Sequence, residues 1–155
     1  MKHTIVPGRA VTEEPILSVE GLKVYFYTDN GVVPGVDDLS FTLHRNETLA
    51  IAGESGCGKS VTSLSILRIV QRPGRIVGGR ILYDGRDLLT LKESAMRKIR
   101  GNDISMVFQE PMTSLNPVFT VGDQIVWGLV EHQHMTRAQA RRHAAEMLRT
   151  VRIPE

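Results

Sequence analysis

Apolar and polar positions alternate through the first third of the chain. Ile16-Leu17-Ser18-Val19-Glu20 and Lys23-Val24-Tyr25-Phe26-Tyr27 read as two strands, and Thr28-Asp29-Asn30-Gly31 reads as a tight turn. Val36, Leu39, Phe41 and Leu43 resume a strand pattern, and Arg45-Asn46-Glu47 turns the chain into Thr48-Leu49-Ala50-Ile51-Ala52. That last run is apolar and β-prone throughout, which predicts a buried parallel strand. Apolar residues then recur at Val61, Leu64, Leu67 and Ile69/Val70, the spacing of a helix that Arg72-Pro73-Gly74 should end. Gly79 to Gly85 predicts a short strand and a turn, Leu91 to Arg100 a charged helix, and Asp103 to Phe108 another strand.

Beyond Gln109 the texture changes. Pro111, Asn116 and Pro117 break regular structure, and Val121 to His134 then predicts a helix. Thr136-Arg137-Ala138-Gln139 is a capping box that should open a second helix, with Ala140, Ala144, Met147/Leu148 and Val151 on one face. Three regions follow. Residues 1–15, with Pro7, Gly8 and Pro15, read as a flexible leader; 16–109 as a β-rich core; and 110–155 as the beginning of a helical subdomain. No internal repeat or low-complexity tract is present.

Composition narrows the classes. A chain of 155 residues is the size of one ordinary domain, and a formal charge of +2 gives no argument for nucleic acid as a partner. Its one cysteine, Cys57, excludes an internal disulfide and suits a reducing compartment. No stretch approaches the roughly 18–20 apolar residues of a membrane span, and the apolar run after Met1 is too short for a secretory signal. The expectation is a soluble, cytosolic segment.

The chemistry is concentrated in Gly53-Glu54-Ser55-Gly56-Cys57-Gly58-Lys59-Ser60, which satisfies G-x-x-x-x-G-K-[S/T] between a strand pattern and a helix pattern. Gly53, Gly56 and Gly58 are expected to let the backbone turn through positive φ and approach a ligand closely. The N–H groups of Gly56, Cys57, Gly58 and Lys59 could then converge as an anion nest at a helix N-terminus. Lys59 would reach the β- and γ-phosphates of a nucleotide, and the Ser60 hydroxyl would hold magnesium. A phosphate loop alone leaves kinases and GTPases open.

A second phrase closes most of that gap. With the loop and Val61-Thr62, the run Met106-Val107-Phe108-Gln109-Glu110-Pro111-Met112-Thr113-Ser114-Leu115-Asn116-Pro117 resembles the ATP-binding subunits of ABC transporters, in their dipeptide and oligopeptide (glutathione-type) importer branch. Met147-Leu148 through Val151-Arg152-Ile153-Pro154-Glu155 is similar too, so the resemblance runs from Ile16 to the end. It implies an α/β P-loop NTPase (ABC ATPase) core with an antiparallel β subdomain and the start of a helical subdomain. It also implies ATP and Mg²⁺ as cofactors. Gln109 matches the family's Q-loop glutamine, whose amide oxygen would ligate magnesium and sense the γ-phosphate. Pro111 to Pro117 matches the segment that signals to membrane subunits. The family stacks adenine on an aromatic near the first strands; among Tyr25, Phe26 and Tyr27 the choice falls on Tyr27, with core packing the alternative. His132, His134 and His143 read as solvated helical residues, and Arg141, Arg142 and Arg149 as an exposed basic face.

The implied partners are a second ATP-binding domain, two membrane permease subunits and, indirectly, an external peptide-binding protein, at the cytoplasmic face of a membrane. The chain reaches Glu155 without a Leu-Ser-Gly-Gly-type signature, a Walker B Asp and Glu, or a switch His. No catalytic residue is therefore assigned within it. The expected function is ATP binding that energises import of di- or oligopeptides, glutathione being one possibility. The alternative is a non-catalytic remnant that binds nucleotide weakly or not at all. A soluble ABC ATPase of another role, such as DNA repair, is disfavoured by the phrase around Gln109.

Overall fold

In the computed structural model, which describes residues 14–109 and 114–153, two long strands set the architecture. β1 (Leu17–Thr28) and β2 (Gly31–Leu43) form an antiparallel hairpin that turns at Asp29-Asn30, with Thr28 opposite Gly31. β3 (Gly74–Tyr83) pairs antiparallel with the other edge of β1, and the two-residue β4 (Arg86–Asp87) follows β3 after a turn at Asp84-Gly85. The sheet order is β2-β1-β3-β4.

The two short strands expected before Thr28 are one strand. The polar interruption at Glu20-Gly21 is a bulge: the pairing with β3 slips between Glu20 and Lys23 and then continues. A bulge adds a residue without ending the ladder, so a break in alternation mimics a strand end. Leu17, Val19, Leu22 and Val24 from β1, Val36, Leu39 and Phe41 from β2, and Ile81 from β3 are buried. Leu67, Leu88 and Met96 join them.

Two expected strands are absent. Thr48 to Ala52 is irregular and carries no ladder, and Ile51 is 37% exposed; Ser105 to Phe108 is likewise irregular, with Val107 93% exposed. Ile104 makes only an isolated bridge to Arg100. Apolar, β-prone residues favour an extended backbone, but a strand exists only where a neighbour takes its N–H and C=O groups. Among the described residues neither segment has such a neighbour.

The helix after the phosphate loop is also shorter than its periodicity suggests. α1 (Lys59–Ile66) ends in a Schellman arrangement: Arg68 takes φ 53°, its N–H donates to Ser65 O, and Ile69 N–H donates to Leu64 O. Glycine normally fills that left-handed position. Here the Arg68 guanidinium offsets the strain by donating to Leu88 O at 3.1 Å and Leu91 O at 2.7 Å. α2 (Glu93–Ile99) forms within the charged stretch where a helix is expected.

The chain divides into two compact units between Met96 and Arg97. In the second, α3 (Val121–Gln133) and α4 (Arg137–Thr150) form a helical hairpin. Both start on threonine caps: Thr120 accepts from Asp123 N–H, and Thr136 and Gln139 complete the expected capping box. Val126 and Leu129 pack on Ala140 and Ala144, whose small side chains let the helices approach. The face foreseen on α4 is buried only in its first half, since Met147 and Val151 are exposed.

Candidate functional site

The glycine-rich loop is built at the mouth of α1, and its conformation follows from two residues. Gly56 has φ 81° and Gly58 has φ 94°, the left-handed region that side chains rarely adopt. Gly58 is also the N-cap of α1, and a Cβ there would run into the Gly35 carbonyl of β2. The loop is thus seated directly on the hairpin. Gly53 differs from the expectation, because its φ is not positive. A Cβ there would sit 2.5 Å from Cys57 Sγ, so that thiol would have to turn away.

Hydrogen bonds close the loop. Cys57 N–H donates to Glu54 O at 3.3 Å, so that amide is already engaged. The amides of Gly56, Gly58 and Lys59 have no backbone acceptor among the described residues. α1 has no side-chain cap and no acidic residue in its first turn, so its positive pole is uncompensated. Ser60 lies in that turn and is exposed.

Lys59 folds back over the loop. Its Nζ donates to Gly53 O at 2.8 Å and Glu54 O at 2.7 Å, and lies 3.5 Å from Cys57 Sγ. An ammonium is thereby held where the unengaged amides and helix pole also favour negative charge. The donor set suits a polyphosphate. The bonds that now hold Lys59 have a charged donor and neutral acceptors; a phosphate oxygen adds the opposite charge and so competes with the two carbonyls. Below the loop, Thr62 is buried and its hydroxyl donates to Gly58 O at 2.9 Å, tying the helix to its cap.

The three neighbouring aromatics have separate roles. Phe26 is wedged between Gly35 and Gly74, where an added Cβ would lie 2.5 and 2.8 Å from its ring carbons. Tyr25 donates from its hydroxyl to Asp37 Oδ1 at 3.0 Å; that bond, more than the slight desolvation, raises its pKa above the usual 10.0. Tyr27 is 45% exposed and not a core residue. Its backbone N–H donates to Pro73 O, and the Arg75 guanidinium lies 5.4 Å from its ring centroid. Nothing in the linear spacing points to Arg75; the cross-strand pairing of Arg75 with Tyr25 brings it there.

Gln109 is exposed, in the second unit, at a bend; Glu110 to Thr113 lie outside the described residues. Asn116 and Gln124 are joined by Asn116 N–H to Gln124 Oε1 at 2.9 Å and Gln124 Nε2 to Asn116 O at 3.0 Å, anchoring the segment before α3. His132 is half-buried beside Gly101, His134 caps α3 with φ 53°, and His143 lies 3.5 Å from Glu146. No cluster of three potential metal ligands of the His, Cys, Asp or Glu type occurs among the described residues.

The pattern of the ABC transporter family matches residues 36–155, which include the loop, Gln109 and both hairpin helices. The chain belongs to the ABC transporter family. Dipeptide transport ATP-binding protein DppD of Bacillus subtilis is 49% identical over 143 residues, covering 92% of this chain and 43% of that protein. Oligopeptide transport ATP-binding protein AppD of the same organism is 47% identical over 137 residues, covering 88% and 42%. A Brucella abortus protein named for peptide import and ATP binding is 50% identical over 141 residues, covering 91% and 42%. The chain therefore spans less than half the length of these relatives. The fold is that of the dimeric ATP-binding cassette MJ0796, solved in a post-hydrolysis state with ADP and Pi, at a TM-score of 0.73 and 21% identity over 86% of this chain and 56% of that one. No helix among the described residues is long and apolar enough to cross a membrane.

Proposed function

We propose that this ABC-family chain is the phosphate-binding part of an ATPase that energises import of di- or oligopeptides, glutathione among the candidate substrates. The observation that carries the reading is Lys59 Nζ held across a loop whose Gly56, Gly58 and Lys59 amides have no backbone acceptor among the described residues. The names of the relatives, peptide import and dipeptide and oligopeptide transport, supply the cargo class.

The roles divide as follows. Lys59 and the loop amides bind the β- and γ-phosphates, with Glu54, Ser55 and Cys57 completing the loop. Ser60 would hold magnesium, and Gln109 would take the role that the family resemblance implies for it, a magnesium oxygen and γ-phosphate sensor. Tyr27 stacks on adenine. Its position supports that role: it lies opposite Val32 in the hairpin, three residues along β2 from Gly35, the seat of Gly58. At about 3.3 Å per residue that is roughly 10 Å, a gap that a ribose and its first phosphate can bridge. In the assembled transporter the chain would act at the cytoplasmic face of the membrane with a second ATP-binding domain, two permease subunits and an external peptide-binding protein.

Calorimetric titration with MgATP tests the binding step. A charged hydrogen-bonding group contributes about 1.5–3 kcal/mol, so Lys59→Ala should weaken affinity by roughly 10- to 100-fold. Equal affinity in the two proteins would reject the proposed site. Uptake of labelled dipeptide in cells carrying Lys59→Ala tests the cargo; unimpaired uptake would reject the transport role.

A further inference from the structure

Arg75 has no place in the phosphate site, yet its position is well defined. It stands opposite Tyr25 in the β1–β3 ladder, on the face that alternation assigns to Tyr25 and Tyr27. That makes it the diagonal neighbour of Tyr27, a separation that long side chains span. Its guanidinium carbon lies 5.4 Å from the Tyr27 ring centroid, within the range of a cation–π contact. Arg75 forms no ion pair among the described residues, unlike Arg45, Arg80 and His143.

The backbone beneath the ring is fixed. Phe26 is wedged between two glycines, and Tyr27 N–H is bonded to Pro73 O at 3.2 Å. These backbone contacts leave the ring itself unconstrained, half-exposed at the end of the hairpin. A free ring loses rotamer freedom when a base stacks on it, and a contact that already holds the ring lowers that cost. A ring has two faces, and the guanidinium occupies one.

We propose that Arg75 is a positioning residue for the nucleobase: its guanidinium closes one face of Tyr27 and commits the other to the base. The inference rests on the reading that Tyr27 stacks on adenine. An exposed cation–π contact corresponds to about two- to fivefold in affinity. A contact acting through the base should leave the phosphate arm untouched.

The test is calorimetry on the full chain with two probes, MgATP and magnesium tripolyphosphate, which has no base. Arg75→Ala is expected to weaken MgATP by about two- to fivefold and leave tripolyphosphate unchanged. Arg75→Lys, which keeps the cation, is expected to recover most of the loss. The assignment is overturned if Arg75→Ala leaves MgATP affinity unchanged, tightens it, or weakens both probes equally. Tightening would mean that the guanidinium competes with the base. Tyr27→Ala separates the two levels. If it does not weaken MgATP, the stacking role of Tyr27 fails and the inference with it. If it does while Arg75→Ala has no effect, only the role of Arg75 fails.

Discussion

Alanine at Gly58 and at Gly56 should have unequal effects, although the two glycines are two residues apart in one loop. Both adopt left-handed backbone, φ 94° at Gly58 and φ 81° at Gly56. A side chain in that region costs about 1–2 kcal/mol at either position. The surroundings differ. Around Gly56 nothing lies within 4 Å of an added Cβ, whereas at Gly58 it would strike the Gly35 carbonyl and approach Val36 Cγ2 to 3.2 Å. Gly35 is backbone of β2, so relief requires moving α1 off the hairpin. Forcing extra volume into a packed contact adds about 1–3 kcal/mol. Gly56→Ala should therefore cost about 1–2 kcal/mol, and Gly58→Ala about 2–5 kcal/mol. Urea denaturation followed by circular dichroism measures both, with the slope checked for constancy between variants. A Gly58→Ala chain as stable as Gly56→Ala, or more so, would refute the claim that β2 seats the loop.

In the capping box of α4, Thr136 N–H donates to Gln139 Oε1 at 3.0 Å and Gln139 N–H to Thr136 Oγ1 at 3.4 Å; Thr136→Ala removes the second bond and should cost about 1 kcal/mol in denaturation, and Thr136→Ser should restore most of it. The Tyr25 hydroxyl, held protonated by Asp37, has a folded pKa above its unfolded value of 10.0, so its contribution to stability is complete below that pH and is lost as pH rises through the folded pKa. Urea midpoints in an alkaline series should fall less steeply for Tyr25→Phe than for the parent; parallel curves would exclude the link. Because Cys57 Sγ lies 3.5 Å from Lys59 Nζ, alkylation with N-ethylmaleimide should abolish MgATP binding, and prior MgATP should slow the modification. Cys57→Ser should be insensitive to the reagent, and alkylated chain that binds MgATP normally would contradict the geometry.

What could be read from the linear chain was local. The phosphate loop spans eight consecutive residues, and the capping box and the turn at Asp29-Asn30 span four each, so their chemistry is complete within a short window. Features that depend on distant partners were not legible. Thr48 to Ala52 has the composition of a strand, but a ladder needs a neighbour that composition does not reveal. The end of α1 lies at an arginine in a glycine-like conformation, stabilised by carbonyls some twenty residues away. The bulge at Gly21 concealed the continuity of β1, and Arg75 reaches Tyr27 only through the register of β1 with β3. The different surroundings of Tyr25, Phe26 and Tyr27 were likewise not legible in the sequence. Two glycines hold Phe26, Asp37 holds the Tyr25 hydroxyl, and Tyr27 alone keeps substantial exposure.

The central claim is that Gly53 to Ser60 receives a polyphosphate by exchanging the carbonyls now bound to Lys59 for phosphate oxygens. A crystal structure of the chain with magnesium and a non-hydrolysable ATP analogue tests it most directly. The account predicts that Lys59 Nζ leaves Gly53 O and Glu54 O for the β- and γ-phosphates, with the amides of Gly56, Gly58 and Lys59 turned toward the same oxygens. An analogue bound away from the loop, or bound with Lys59 still on the two carbonyls, would contradict it.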